Sequence, residues 1–149
     1  MMQLLLIGLA LCIIAGLSFY AGRLLFQLKQ QNARQQRVRT KRIETIIESV
    51  QTIALAMQQQ QCNLSEGVIR LTHLLEAIPL NPAPDYRQDY PAVFALYDQI
   101  KHFPTHNARN SLSKSERRQQ DKEREQIESD YESQVLREVD ALKQFSIDI

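Results

Sequence analysis

The sequence predicts an all-α protein, with one N-terminal transmembrane helix followed by a small cytoplasmic bundle of about four helices. Two observations support this fold class. The chain begins with an apolar run that contains no charged residue, and apolar residues then recur every three or four positions, which is the period of an α-helix. With only four glycines, no tryptophan and 7% aromatic residues, the composition argues against a turn-rich β-sandwich and against a nucleotide enzyme with a phosphate loop.

The charge distribution divides the chain into three segments. The net charge is +1, from 18 basic and 17 acidic side chains. Residues 1–22 carry no charge, residues 23–42 carry seven cations and no acid, and residues 43–149 carry 11 basic against 17 acidic side chains, a net of −6. We therefore predict a transmembrane anchor over 1–26, a basic juxtamembrane helical stalk over 27–42 and a cytoplasmic α-helical domain over 43–149.

The apolar run is long enough to cross a bilayer. About 20 residues at about 1.5 Å each span about 30 Å, the thickness of the hydrocarbon core. Between residues 4 and 21 the polar side chains are Ser18 and Tyr20, both near one end. A cleaved signal peptide is the alternative, but it would need a basic start and a shorter apolar run. A retained anchor fits better, because the run leads directly into basic, helix-forming sequence.

Cations on one side of the run predict its orientation. Lys and Arg next to a span stay on the cytoplasmic side, so we expect the N-terminus in the periplasm and the C-terminal domain in the cytoplasm of a bacterial inner membrane. These topology determinants are Arg23, Lys29, Arg34, Arg37, Arg39, Lys41 and Arg42. Their expected partner is the anionic lipid bilayer, because they lie next to the membrane. Nucleic acid is not expected, because the acids of the other charge-dense stretch, residues 114–132, balance its bases.

Small residues recur every four positions in the anchor, at Gly8, Cys12 and Gly16. Such a face permits close packing of a second transmembrane helix, which would make the protein a homodimer. The alternative is that small residues are simply common in membrane helices.

The first cytoplasmic helix is predicted from the apolar face between Ile43 and Met57. Because no proline or glycine lies between residues 23 and 61, this helix can run back into the span as a long stalk. Pairing of two stalks as a short coiled coil is an alternative, although the pattern covers fewer than three clean heptads. The polar run over 58–61 is interpreted as the frayed helix end.

Capping residues and prolines predict the other helices. Asn63 or Ser65 caps the second helix, with Glu66 in its first turn, and this helix ends at Pro79. Prolines make residues 79–91 an extended connection.

Pro91 suits the first position of the third helix, which Pro104 ends. After a loop over 105–113, Ser113 and Glu116 form a capping box that opens the last helix. Its apolar stripe is Ile127, Tyr131, Val135, Val139, Leu142 and Phe145.

Tyr86, Arg87 and Tyr90 form the candidate contact site for a protein partner. They lie on the proline-stiffened connection, in a composition typical of protein interfaces. The alternative is that the two tyrosines fold back and cover the bundle.

No motif in the sequence indicates a reaction, a metal or a cofactor. Cys12 and Cys62 lie in different segments, so they cannot form a disulfide within one chain. Pro104 separates His102 from His106, and no Cys or carboxylate lies at the characteristic spacing of a metal site. We expect no cofactor, and the sequence leaves enzymatic activity without a candidate catalytic residue.

Three stretches resemble a family of uncharacterised gammaproteobacterial proteins grouped as a domain of unknown function. They are residues 19–24 (FYAGRL), 58–67 with 69–71 (QQQQCNLSEG and IRL), and 114–121 (KSERRQQD). The resemblance extends over essentially the whole chain and implies a single-pass inner-membrane protein. It carries over no catalytic or binding residue.

The leading hypothesis is a membrane-anchored, non-enzymatic interaction or scaffold module that binds another protein. The alternative is a membrane-tethered accessory enzyme or cofactor-binding subunit that uses Cys62, His73 or Tyr86 in a pocket between helices. A structural subunit of a larger membrane complex is a third hypothesis.

Overall fold

The structure is a computed structural model and describes residues 1–104 and 109–147. The predicted loop over 105–113 lies partly outside the described residues. His106 lies outside them. Within those ranges the chain is all-α and contains no strand, as predicted. Its helices are α1 (Met2–Gln58), α2 (Leu64–Glu76), α3 (Tyr86–Asp89), α4 (Pro91–Ile100) and α5 (Lys114–Leu142). The chain divides into two compact units, Met1–Lys41 and Arg42–Ile149.

The first unit is helical and exposes its apolar side chains. The large apolar residues from Leu6 to Leu28 are between 47% and 77% exposed. In length and composition this part of α1 meets the requirements of a membrane span. It is a candidate membrane span, since nothing in the described structure shields these side chains from water.

The second unit has its own hydrophobic core, built from one face of each long helix. The C-terminal part of α1 contributes the predicted face from Ile43 to Met57, and α5 contributes the predicted stripe from Ile127 to Leu142, with Phe145 just after the helix end. The largest fully buried apolar side chains are those of Ile43, Val50, Val68, Leu71, Leu75, Val93, Leu96, Val135, Val139 and Leu142. Helical periodicity therefore identified most of the buried positions, and Ile47, Ile53, Ile127 and Tyr131 are half-buried against the core.

Three helix starts lie where the sequence predicted them. The Asn63 side chain accepts a hydrogen bond from the Ser65 amide at 3.0 Å, so Asn63 is the cap of α2. Ser65 is buried instead, and its hydroxyl donates to Glu128 of α5. Pro91 begins α4, and Ser113 and Glu116 make both hydrogen bonds of a capping box at α5.

The connection over 79–91 is not wholly extended, which corrects the prediction. It contains the four-residue helix α3, capped by the Asp85 carboxylate, which accepts a hydrogen bond from the Arg87 amide at 3.2 Å. Residues 86–89 lie between Pro84 and Pro91, so every backbone donor needed for one helical turn is present. A capping aspartate then makes this turn favourable.

The end of α1 is closed by hydrogen bonds and is not frayed. The Gln61 amide donates to the Ala56 carbonyl at 2.9 Å, and the Gln60 amide donates to the Met57 carbonyl at 3.1 Å. These are the two bonds of a Schellman motif, whose penultimate position adopts a left-handed conformation. Gln60 occupies that position with φ of 56°, where glycine would fit without steric cost.

Gln60→Gly is therefore expected to raise the free energy of unfolding by about 1 kcal/mol, because it removes the cost of a side chain in the left-handed region. Urea unfolding of the full-length protein in detergent, followed by circular dichroism, measures the change. Gln59→Gly is the matched control. It should destabilise the protein, since Gln59 lacks a positive φ. A Gln60→Gly variant less stable than the native protein would contradict this interpretation of the helix end.

Gly67 lets α2 pack directly on α1. A Cβ placed on Gly67 would lie 2.5 Å from Cγ and 2.9 Å from Cε of the buried Met57. Real side chains do not approach so closely, so any larger residue must displace Met57. Gly67, near the start of α2, is therefore a position where helix packing requires a residue without a side chain.

Gly67→Ala should lower the free energy of unfolding by about 1–2 kcal/mol, because overpacking outweighs the better helix propensity of alanine. In a Met57→Ala background the clash is gone. There the same substitution should raise the free energy of unfolding by about 0.5–1 kcal/mol. The double-mutant cycle is measured by urea unfolding. An effect of the same sign in both backgrounds would show that Met57 is not the residue that Gly67 accommodates.

Candidate functional site

The predicted contact residues lie on α3 and at the start of α4. Tyr86 is buried, with 9% of its surface exposed, and its ring meets Phe145 edge-on at a centroid distance of 6.0 Å. Tyr90 is half-buried and packs against the core. Both tyrosines thus cover the bundle, which is the alternative that the sequence left open. Arg87 remains on the surface, with 49% of its side chain exposed.

Arg87 joins three helices. Its Nη1 donates to Asp98 Oδ2 of α4 at 2.9 Å, and its Nη2 lies 3.9 Å from Glu76 Oε1 of α2. The guanidinium also lies 4.8 Å from the centre of the Phe94 ring, within range of a cation–π interaction. Hydrogen bonds from Lys101 and from Arg87 hold the pKa of Asp98 below its usual value. Asp98 is thus shared between two cations, since Lys101 Nζ lies 2.8 Å from its Oδ1.

The Tyr86 hydroxyl is buried and has no hydrogen-bond partner among the described residues. Burial raises the pKa of Tyr86, and the neighbouring Tyr90 and Asp89 raise it further. A buried polar group without a partner costs about 1–3 kcal/mol. Such a group is unusual in a well-packed core.

Tyr86 lines a surface cleft of about 240 Å³, which we call the Tyr86 cleft. Its floor is apolar, and its rim carries two acids and one base. The lining residues are Leu75, Glu76, Ile78, Ala83, Pro84, Asp85, Tyr86, Arg87 and Phe94. A second cleft of about 480 Å³ also touches Tyr86 and extends past Tyr90 to Ile147.

A glutamate from α5 holds α4 in place beside the cleft. Glu138 accepts hydrogen bonds from the Ala92 and Val93 amides, one to each carboxylate oxygen, both at 2.9 Å. Tyr90 precedes α4 and supplies no side-chain cap. The carboxylate therefore takes the place of a local N-cap and also matches the positive end of the helix dipole. Sequence reasoning missed this residue, although the lack of a Ser, Thr, Asp or Asn before Pro91 was a signal for a cap from elsewhere.

The predicted residues of the first unit are surface residues. A Cβ on Gly8 or on Gly16 would meet no described atom within 4 Å, and Cys12 is exposed. The face that they form is therefore accessible to another helix. The seven cations of residues 23–42, of which Arg42 begins the second unit, are exposed or half-exposed: Arg23, Lys29, Arg34, Arg37, Arg39, Lys41 and Arg42.

Cys62, His73 and Tyr86 do not share a cleft in the part of the chain that the structure describes. Cys62 lies beside a different cleft, near Met57 and Glu132, and its thiol is 3.5 Å from the Asn63 carbonyl. His73 is exposed, with its ring edge-on to Tyr97 at 5.7 Å. Among the described residues no group of three His, Cys, Asp or Glu side chains is arranged to hold a metal ion.

The Cys62 thiol is expected to react slowly with iodoacetamide at neutral pH. Burial raises its pKa, Glu66 raises it further and Arg70 lowers it, so little reactive thiolate is present. In a Cys12→Ser background, Glu66→Gln should speed alkylation several-fold, and Glu125→Gln, at a remote exposed site, should leave the rate unchanged. Alkylation faster than that of free cysteine at pH 7 would contradict this assignment and would favour a reactive role for Cys62.

Comparisons with known proteins agree on the family. Residues 14–142 match the model of a family described as "Protein of unknown function (DUF2489)". An uncharacterised protein of Haemophilus influenzae is 40% identical over 131 residues, which cover 88% of this chain and 86% of that protein. No solved structure matches the chain. The resemblance seen in the sequence is thereby confirmed.

Proposed function

This chain belongs to the DUF2489 family of proteins of unknown function, and we propose that it is a membrane-anchored, non-enzymatic module that binds another protein at the cytoplasmic face of a bacterial inner membrane. The observation that carries the proposal is the contrast between the two units. The described large apolar side chains of Met1–Lys41 are exposed, whereas Arg42–Ile149 packs most of its own into a hydrophobic core.

The exposed apolar helix supports membrane anchoring. Burying one large apolar side chain contributes about 1.5–3 kcal/mol, and more than ten such residues between Leu6 and Leu28 are exposed. A bilayer is the environment that covers all sides of a single helix at once. The candidate span is also free of charge over residues 1–22, so insertion has no ionic penalty to overcome.

The cations that follow support the cytoplasmic orientation. Residues 23–42 hold seven Lys and Arg and no acid, and each cation near an anionic leaflet contributes about 1 kcal/mol. The net charge of −6 over residues 43–149 keeps the folded domain from adhering to the same leaflet. The basic segment and the acidic domain would therefore have separate roles, one at the lipid surface and the other in solution.

The second unit supports the binding role. It presents surface clefts around Tyr86, Arg87 and Tyr90, and Arg87 makes ion pairs with α2 and α4 beside them. Partly apolar clefts with a few charged groups on the rim are typical sites for a protein partner.

Site-specific photo-crosslinking in intact bacterial membranes tests this proposal. A benzophenone amino acid replaces Arg87 in one variant and Glu125, on the exposed face of α5, in the matched control. We expect one reproducible adduct from position 87, identified by mass spectrometry, and a weaker adduct or none from position 125. Two further variants carry the same amino acid at Gln88 and at Tyr90. Absence of adducts from positions 87, 88 and 90 would contradict a binding role for this surface.

A further inference from the structure

We infer that the Tyr86 cleft binds a lysine or arginine side chain from a basic segment of the partner protein. This inference rests on the proposed function, because it names the chemistry of the partner at the same surface. It is drawn from the shape of the cleft, from the charges on its rim and from the unpartnered Tyr86 hydroxyl.

The floor of the cleft matches the apolar stem of a basic side chain. Leu75, Ile78 and Phe94 form it, and all three belong to the buried core. Lysine and arginine carry three or four methylene groups, which pack on apolar surfaces while the charged head stays at the rim. A cleft of about 240 Å³ has room for such a stem and excludes a folded element.

The rim of the cleft has acidic groups with unused acceptor capacity. Glu76 is 50% exposed, and its ion pair with Arg87 is long, at 3.9 Å. Asp85 accepts a hydrogen bond from the Arg87 amide, which occupies one of its several lone pairs. Arg87 lies closer to Asp98, which also pairs with Lys101. Among the residues that line the cleft, the acids Glu76 and Asp85 therefore outnumber the base Arg87, and a cation from a partner would balance them.

The buried Tyr86 hydroxyl is the second, independent sign of a ligand. The residue is nine-tenths buried and lines the cleft, yet the hydroxyl has no partner among the described residues. A peptide that enters the cleft brings backbone carbonyls and amides that can pair with this hydroxyl. An acidic cleft with an unpaired buried hydroxyl therefore favours a basic peptide over an anionic or purely apolar ligand.

Three matched peptides test the inference. The probes are acetylated, amidated pentapeptides with the sequence Ala-Leu-X-Leu-Ala, in which X is lysine, norleucine or glutamate. Binding to the full-length protein in nanodiscs of neutral lipid is followed by NMR, through the methyl groups of Leu75, Ile78 and Ala83. We expect the lysine peptide to shift these methyl signals and to bind at least fivefold more tightly than the norleucine peptide, which keeps the stem but lacks the charge.

Variants of the rim separate this site from non-specific attraction. Glu76→Lys should weaken the lysine peptide at least fivefold, and Tyr86→Phe should weaken it several-fold while the fold, checked by thermal unfolding, is preserved. Glu125→Lys is the control with the same charge change on α5, and it should leave binding within twofold. Equal binding of the lysine and norleucine peptides, equal effects of the two charge reversals, or binding of spermidine without binding of any peptide would overturn the inference.

The crosslinking experiment keeps the two proposals distinct. If adducts form at position 87 and persist in the Glu76→Lys variant, the protein-binding function stands. The inference that the Tyr86 cleft binds a lysine or arginine side chain of the partner then fails. If no adduct forms at any position of the surface, the proposed function itself fails.

Discussion

Two aspartates in the middle of the apolar segment, Ile13→Asp with Ile14→Asp, are expected to move the protein from the membrane fraction to the soluble or aggregated fraction. Each aspartate at the centre of a span costs about 2.5–3.5 kcal/mol on insertion. Both residues are more than half exposed in the structure, so the substitutions disturb no packing in the described chain. Fractionation of cells that express the full-length protein measures the change.

Val38→Asp is the matched control for this experiment. Val38 is also an exposed apolar residue of α1, at 69%, but it lies within the basic segment and outside the predicted anchor. The control should stay in the membrane fraction. Equal release of both variants would contradict the assignment of residues 1–26 as the anchor. The intact mass of the native protein tests the signal-peptide alternative, because a retained anchor leaves residues 1–22 in place.

Among the polar side chains that are partly exposed, Glu138 is the one whose removal should lower the free energy of unfolding most. Glu138→Ala leaves the Ala92 and Val93 amides of α4 without acceptors, and hydrogen bonds to charged groups contribute about 1.5–3 kcal/mol each. We expect the free energy of unfolding to fall by about 2–3 kcal/mol. Glu138→Gln keeps one acceptor oxygen and should lose about half as much.

Urea unfolding of the full-length variants in detergent measures both losses. Glu125→Ala on the exposed face of α5 is the control and should change the free energy of unfolding by less than about 0.5 kcal/mol. A Glu138→Ala variant as stable as this control would indicate that the start of α4 is capped in another way. The photo-crosslinking yield at position 87 should also fall in the Glu138→Ala variant, because α4 forms a wall of the Tyr86 cleft.

Local signals in the sequence were sufficient for most of the fold. The apolar period placed Val50 and Val139 in the core, and cap chemistry placed the starts of α2 and α5 at Asn63 and Ser113. These features depend on neighbours within a few residues, so a single sequence contains the information. The family resemblance was confirmed by a match over residues 14–142, a range that includes the three resembling stretches.

Features that depend on distant residues were missed. Glu138 caps a helix that begins 47 residues earlier in the chain, at Pro91, and no local pattern indicates such a pair. The unpartnered hydroxyl of Tyr86 is likewise a property of packing against Phe145. The sequence identified Tyr86, Arg87 and Tyr90 as a group, but only the fold separates the buried tyrosines from the exposed arginine and places Glu76 beside it.

A topology reporter tests the central claim, that a bilayer anchor holds the helical domain in the cytoplasm. Two fusions after Ile149 are compared in the same bacterial strain, one to a phosphatase that is active only in the periplasm and one to a fluorescent protein that matures only in the cytoplasm. We expect fluorescence at the cell membrane from the second fusion and no phosphatase activity from the first. Phosphatase activity without fluorescence would place the domain in the periplasm and would contradict the account.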